Sequence, residues 1–396
     1  MNKKIHILLL PSWYPSDAND IYGSFFREQA LALSKSGHRV GVIAPIFRTL
    51  KDITGLFNKP YGYRVNNDEG VKTYRWYGVN YTPKLIKVVK KIRLCVGEKL
   101  FNKYIKENGL PEILHVHSLN DAGFLALKIS KKYNIPYIIT EHSSLFARGL
   151  IKKEVTESLN DVVQNSSYNI AVSNEFTKLL NSTFNSKSWN YLPNMVNSFF
   201  LNEELVIKED TEYFEFINVC FQNENKRVDL LIKSFSKAFK GNRNVRLKLV
   251  GDGPSKYILE ELVKIEGISK QVTFLGELDR EKVKREISSA DAFVLSSNYE
   301  TFGVVIIEAL ALGKPVIATC CGGPESIVTP DVGYLVPKNS IGELSKAMLE
   351  LYKNKEKFNA FNIRKYCEEN FSELAVTKKL QPIYLQAIQR KITNER

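Results

Sequence analysis

Two glutamates, Glu300 and Glu308, bracket seven residues in the stretch SSNYETFGVVIIEALALGKPVIAT. The apolar run DAFVLSS predicts a buried strand, GVVIIEALAL a helix closed by Gly313, and Lys314-Pro315 the entry to a second strand, PVIAT. The N-terminus of a helix carries unpaired N–H groups and a partial positive charge, so it suits a phosphate. Carboxylates beside it accept hydrogen bonds from the hydroxyls of whatever bears that phosphate, which is the chemistry of a sugar nucleotide. A solvated role is the competing reading, because lone glutamates are mostly surface residues. Against it, Val304, Val305, Ile306, Ile307, Ala309, Leu310 and Leu312 leave this helix almost no polar face. Glu308 is therefore the charged group that most needs a partner.

The elements that must hold this pair alternate along the whole chain. KIHILLL, RVGVIAP, VKTYRWY, EILHVHS, PYIITEH and YNIAVS read as strands, with helical stretches such as GSFFREQALALSKSG and NDAGFLALKISKKY between them. After a polar segment, LNEELVIKEDTEY, the pattern restarts with FEFINVCF, RLKLVGDG, QVTFLGE, DAFVLSS, PVIAT and GYLVP. Two successive β-α-β series predict two doubly wound parallel sheets, whose ligands bind off the carboxyl ends of the strands. The expected organisation is an acceptor-side domain over 1–196, a donor domain over 197–370 and a C-terminal helical segment over 371–396 that packs back on the first domain, with a cleft between the two facing domains.

At 396 residues and 44% hydrophobic, the chain can bury two cores of ordinary size. No apolar run approaches the ~18 residues of a membrane span. The start, MNKKIHILLLPSWYP, reads as a first strand rather than a signal peptide, since Pro11 follows at once and no small-residue cleavage site appears. Five cysteines without a Cys-x-x-Cys pair fit a reducing cytoplasm. Net charge is +13, and its distribution is uneven: residues 1–200 hold 27 Lys and Arg against 15 Asp and Glu, whereas residues 201–396 hold 29 against 28. Within the basic half, TPKLIKVVKKIRLCVGEKL places Lys84, Lys87, Lys90, Lys91 and Arg93 among aliphatic residues, a basic amphipathic helix suited either to solvent or to an anionic membrane surface. No aromatic-basic RNA signature or zinc-knuckle spacing supports nucleic acid as the partner.

Other motifs narrow the chemistry mainly by failing. GDGPSK has Lys256 where a dinucleotide fingerprint needs its third glycine, and Gly313-Lys314-Pro315 lacks the rest of a P-loop. No Asp-x-Asp occurs, which removes a common signature of a metal-bridged diphosphate, so no metal is expected. His115 and His117 in HVH face the same side of a strand, but without a third ligand of suitable type they read as structural.

Taken in order, LVGDGP, TFLGEL, SSADAFVLSSNYETFGVVIIEALALGKPVIAT, GGPESIV and GYLVP resemble the retaining glycosyltransferases of family 4, the group 1 set with the GT-B fold. The first half agrees more loosely, through YGSFFREQALAL, SGHRV, HVHS, TEHS, AVSN and LPN. The resemblance implies a hexosyltransferase (EC 2.4) that moves a sugar from a nucleoside diphosphate, UDP or GDP, to an acceptor hydroxyl with retained anomeric configuration. It implies no cofactor, a glycan or lipid-linked acceptor, and a place in polysaccharide, lipopolysaccharide or glycolipid assembly at the inner membrane face. Carried over residue by residue, Glu300 faces the transferred sugar, the N–H groups of Phe302, Gly303 and Val304 lie where sugar and diphosphate meet, and Glu308 receives the ribose. Lys226 matches the phosphate-binding lysine, Gly23 the first-domain loop glycine, and His142 a histidine near the reacting sugar. One departure stands out. Where the family writes Gly-Arg-Leu, three residues and Lys-Gly, this chain has Cys220-Phe221-Gln222 and then Lys226-Arg227, so the second diphosphate cation is missing from its place and Arg227 is the expected substitute. Two other classes fit parts of the pattern: a nucleotide-sugar epimerase of related fold, and a non-catalytic basic membrane-associated scaffold.

Overall fold

The structure, a computed structural model, describes residues 3–16, 20, 23–49, 60–82, 84–202, 204–206 and 213–393. Parts of five segments singled out above lie outside these residues: 1–2 of the N-terminal stretch, 22 of YGSFFREQALAL, 83 of TPKLIKVVKKIRLCVGEKL, 203 and 207–212 of the interdomain stretch, and 394–396 at the end of the C-terminal segment. The chain folds as two compact units, one of Met1–Val172, Thr177–Leu192 and Val376–Arg396, the other of Ser173–Phe176 and Pro193–Ala375. Residues 193–196 go with the second unit because Val196 bridges to Ser372 and its N–H donates to Phe371 O.

In the first unit the strands are β1 (His6–Pro11), β2 (Arg39–Thr49), β3 (Gly62–Asp68), β4 (Val71–Asn80), β5 (Ile113–His117), β6 (Tyr137–Glu141), β7 (Tyr168–Ala171) and β8 (Trp189–Tyr191). They lie in the order β3-β4-β2-β1-β5-β6-β7-β8. All neighbours are parallel except β3 and β4, an antiparallel hairpin turned by Glu69 and Gly70, both at positive φ. This edge hairpin is added to the doubly wound parallel sheet expected of the sequence. The helices are α1 (Ser24–Lys35), α2 (Ile86–Asn108), α3 (Asn120–Tyr133), α4 (Ser144–Ala147), α5 (Lys153–Gln164) and, from Thr177 onward, α6 (Asn174–Thr183). The central strands β1, β5 and β6 are buried on both faces, as near-continuous aliphatic runs in a parallel sheet must be.

In the second unit, helix α7 (Ser198–Leu201) precedes strands β9 (Phe214–Val219), β10 (Val245–Val250), β11 (Val272–Gly276), β12 (Ala292–Leu295), β13 (Val316–Thr319) and β14 (Gly333–Val336). Their order is β11-β10-β9-β12-β13-β14, and every neighbouring pair is parallel. Helices α8 (Val228–Phe239), α9 (Lys256–Glu266), α10 (Arg280–Ser289) and α11 (Val304–Ala311) connect β9 to β13 in turn, and α12 (Ile341–Lys353) and α13 (Ala360–Phe371) follow β14. The strand order reverses between β9 and β12, a switch point at which two strand-end loops part and open a crevice. Helix α14 (Glu373–Thr393) follows, and from Val376 it belongs to the first unit, where Tyr384 is fully buried. Among the described residues no helix is long and apolar enough to cross a membrane.

Candidate active site

At the switch point of the second unit the loops after β9, β12 and β13 are stitched together by their own polar groups. Asn223 caps a short turn over Glu224–Lys226 by accepting from Asn225 N and Lys226 N. Asn298 N then donates to Asn225 O, and Ser296 Oγ donates to Lys226 O. Glu300 N donates to Cys321 O, beside a parallel bridge from Glu300 to Gly322. A Cβ on Gly323 would stand 2.2 Å from Phe302 O, so only glycine lets these two loops approach.

This scaffold sets Lys226 Nζ 2.6 Å from Glu300 Oε1, and Ser297 Oγ donates to the same oxygen at 2.7 Å. Both partners are largely buried. Burial opposes the charge on Lys226, but the pairing with Glu300 outweighs it and raises the lysine pKa. Two thiols share the neighbourhood: burial pushes Cys220 up to about 12 and Cys321 upward as well, so both are protonated and uncharged at neutral pH. Just beyond, α11 begins at Gly303, which has no side chain to cap it; Ile306 N donates to Gly303 O, and the N–H groups of Val304 and Val305 lie at the open end of the helix. Phe302 contributes only its backbone here, because its ring is core, edge-on to Phe371.

Glu308 lies on the same helix, half-buried, with Arg280 Nη2 3.9 Å from its Oε1. Arg280, which sequence reasoning did not single out, sits over the rings of Phe199 and Phe200. The structure does not bring Arg227 to the Lys226–Glu300 pair. Its guanidinium is held by both oxygens of Asp229, at 2.9 and 3.0 Å, and by Asn339 Oδ1. Phe221, where the family has its arginine, is 63% exposed.

The strand-end edge of the first unit has a different character. Gly23 caps α1 at φ 83, where a Cβ would come within 2.9 Å of the Trp13 ring. His142 follows β6 with its ring against Phe25 and Phe26, and His117 Nδ1 is 3.2 Å from His142 Nε2. Glu141, fully buried, holds this corner: it accepts from Leu119 N, His142 N and Ser143 N at 2.7, 2.9 and 2.7 Å. Burial raises its pKa, and those N–H bonds pull it back. Burial also lowers His117 to about 3 and, with its two histidine neighbours, takes His115 well below its ordinary value. His115 spends one ring nitrogen on Tyr384 OH and the other on Thr140 Oγ1, which leaves it none for a metal.

Comparison with known proteins agrees with the two-unit α/β fold. A family model for glycosyl transferases group 1 matches residues 200–370, and one for glycosyltransferase family 4 matches residues 23–198. The chain is 25% identical over 309 residues to the alpha-monoglucosyldiacylglycerol synthase of Acholeplasma laidlawii, covering 72% of this chain and 73% of that one. Among solved structures it resembles the sucrose-phosphate synthase of Thermosynechococcus elongatus, with TM-score 0.76 at 20% identity over 97% of this chain and 100% of that one. It also resembles Anabaena HepE in complex with UDP and glucose, with TM-score 0.69 at 16% identity over 95% and 98% of the two chains.

Proposed function

We propose that this chain, which belongs to the glycosyl transferases group 1 and glycosyltransferase family 4, carries a nucleoside-diphosphate sugar on its second unit and transfers the sugar with retained configuration to an acceptor hydroxyl. It is a glycosyltransferase of GT-B fold, related to glycolipid synthases. The observation that supports the donor reading is the 2.6 Å Lys226–Glu300 pair at the strand-end switch point, beside the open N-terminus of α11.

In this reading Lys226 and the N–H groups of Gly303 and Val304 carry the charge that develops on the departing diphosphate, where prepositioned donors act with little reorganisation. Glu300 accepts hydroxyls of the sugar, and Glu308 accepts those of the ribose. Arg227, tied to Asp229, contributes by bracing the Lys226 turn rather than by meeting phosphate. Retention follows from attack on the face the phosphate leaves, with the phosphate oxygen taking the acceptor's proton. No carboxylate nucleophile of the glycosidase kind is assigned. Lys226 and the helix end are the positive groups the reaction uses, and no metal is assigned a part.

On the first unit, His142 presents an imidazole and Gly23 a bare backbone to the reactants. The excess of positive charge in residues 1–200 favours an anionic or lipid-linked acceptor and the anionic inner face of a membrane. A thermal-shift panel of UDP, GDP and ADP followed by transfer assays with the matching donor sugars tests the proposal. A stabilising nucleotide and turnover of its sugar donor are expected; tight nucleotide binding without hydrolysis or transfer of any donor would overturn it.

A further inference from the structure

Helix α2 is apolar on two sides, and the fold uses only one. Leu100, Phe101 and Tyr104 are buried against the unit. At its other end Leu85, Val88 and Ile92 are 55%, 45% and 45% exposed, and spacings of three and four residues align them in one stripe about two turns long. Tyr81, just before the helix, is exposed too. At 100° per residue, Lys84, Lys87 and Lys91 run down one flank of that stripe. All three are exposed and have no ion-pair partner among the described residues. Val89 lies on the opposite flank and, with Phe124 of α3 and Val155 and Leu159 of α5, lines a groove of about 270 Å³ whose other lining residues are polar: Lys90, Asn120 and the paired Arg93 and Asp121. Lys90 Nζ stands 5.2 Å from the Phe124 ring centre at its rim. The α5 rim itself is balanced, with exposed Lys152 and Lys153 beside Glu154 and Glu157, so the charge belongs to α2.

The groove opens where β4 and β5 deliver the chain to α2 and α3, the same strand-end edge that carries His142. We infer that this face seats on an anionic lipid bilayer, with α2 lying along the headgroup boundary, its stripe in the acyl region and the polar-rimmed groove at headgroup level. Unneutralised lysines beside exposed aliphatics decide for lipid over protein. Lysine is depleted at protein interfaces, whereas a helix in the headgroup plane carries lysines along its polar flank and sends their ammonium groups outward to lipid phosphates. This deepens the membrane-facing acceptor reading above and rests on it.

Co-sedimentation of the full chain with vesicles of phosphatidylcholine, and of phosphatidylcholine with phosphatidylglycerol, tests it at low and high salt. Wild type is expected to pellet with the anionic vesicles at low salt. The pair Leu85→Asp and Ile92→Asp is expected to weaken that binding about tenfold or more, and Lys84→Glu, Lys87→Glu and Lys91→Glu together to abolish it. Since these side chains are exposed, unchanged thermal melts and unchanged transfer to a water-soluble acceptor should accompany the loss, which separates this inference from the transferase reading. Wild type left in the supernatant, or the aspartate pair binding like wild type, would overturn it. So would variants that alter the oligomeric state in light scattering while vesicle binding persists.

Discussion

Net charge points to the wrong half of this molecule for ionic chemistry. Residues 1–200 carry nearly all of the excess positive charge, yet the strand-end corner of the first unit holds histidines that burial keeps neutral and a carboxylate consumed by three backbone N–H groups. The second half is almost balanced, yet its strand-end edge holds the Lys226–Glu300 pair. The two units share an architecture and differ in what they place on it. Excess charge describes surfaces that meet large partners, whereas the chemistry of a site depends on which few groups the loops converge, and whether those groups are left with partners to spare.

The sharpest way to break that contrast is to remove the ionic pair. Glu300→Ala strips the largely covered Lys226 of its partner and, on the proposed reading, the sugar of a hydrogen-bond acceptor, so turnover should fall about a thousandfold, the scale of losing a preorganised polar group in a site. His142→Ala, at the neutral corner, should cost roughly tenfold to a hundredfold, with the donor's dissociation constant unchanged. Steady-state rates and calorimetric donor binding on both variants decide it. A larger loss at His142 than at Glu300 would invert the assignment of ionic work to the second unit.

Next in size is the cation. Lys226→Met should weaken nucleoside diphosphate binding by about a hundredfold while the free nucleoside binds as before, because a charge-assisted contact to phosphate is lost and nothing at the ribose changes. Glu308→Gln should do the reverse, weakening the nucleoside and the diphosphate alike. Titrations with nucleoside, monophosphate and diphosphate separate the two. If both variants affected the nucleoside equally, the division along α11 would fail.

Much of this site was legible before the structure because its residues lie in strong patterns. The glutamates sit in a strand-loop-helix-strand run, and each of the two series of aliphatic strands announces a sheet. What escaped reading has physical reasons. Strand β3, GYRVNND, is exposed along most of its length, so it carries no apolar alternation. Strand β8 has only three residues. Glu141 reads in sequence as the polar end of a strand, and its work is done on Leu119 N, 22 residues away. The missing diphosphate cation suggested Arg227 by proximity in the chain, but Asp229 two residues on and Asn339 from the loop after β14 claim the guanidinium first.

Acid should separate the units by stability. A histidine whose folded pKa is depressed leaves the unfolded chain binding the extra proton, so its stabilisation is complete above about 6.5 and is lost as pH falls towards the folded value of about 3 for His117. His115 acts in the same direction. Each should remove about 1 kcal/mol by one pH unit below 6.5. Glu141, raised by burial, works the other way, since protonation relieves its buried charge as pH falls, but it is one group against four, because burial also lowers His6 and His38 of the same unit. Hydrogen exchange between pH 7 and 5 should show β5 and β6 losing protection before β9 and β12. Loss in the second unit first would mean that the buried histidines are not what acid attacks.

The smallest expected effect tests the missing cation directly. Phe221 is largely exposed, and its neighbours are held by backbone bonds, Cys220 N to Val250 O and Gln222 N to Asp252 O, so changing this side chain should leave the loop in place. Phe221→Arg would restore a guanidinium at the strand end beside Lys226. At an exposed position such a charge gains little over its own hydration, so nucleoside diphosphate affinity should improve only about twofold to fivefold, screened by salt, with nucleoside affinity unchanged. A gain of a hundredfold would mean that the second unit is short of positive charge and that Lys226 with the helix end is an incomplete diphosphate site. No gain at all, at low salt, would mean that the phosphates lie out of reach of this strand end, and that the balance between Lys226 and α11 is the whole of the ionic site.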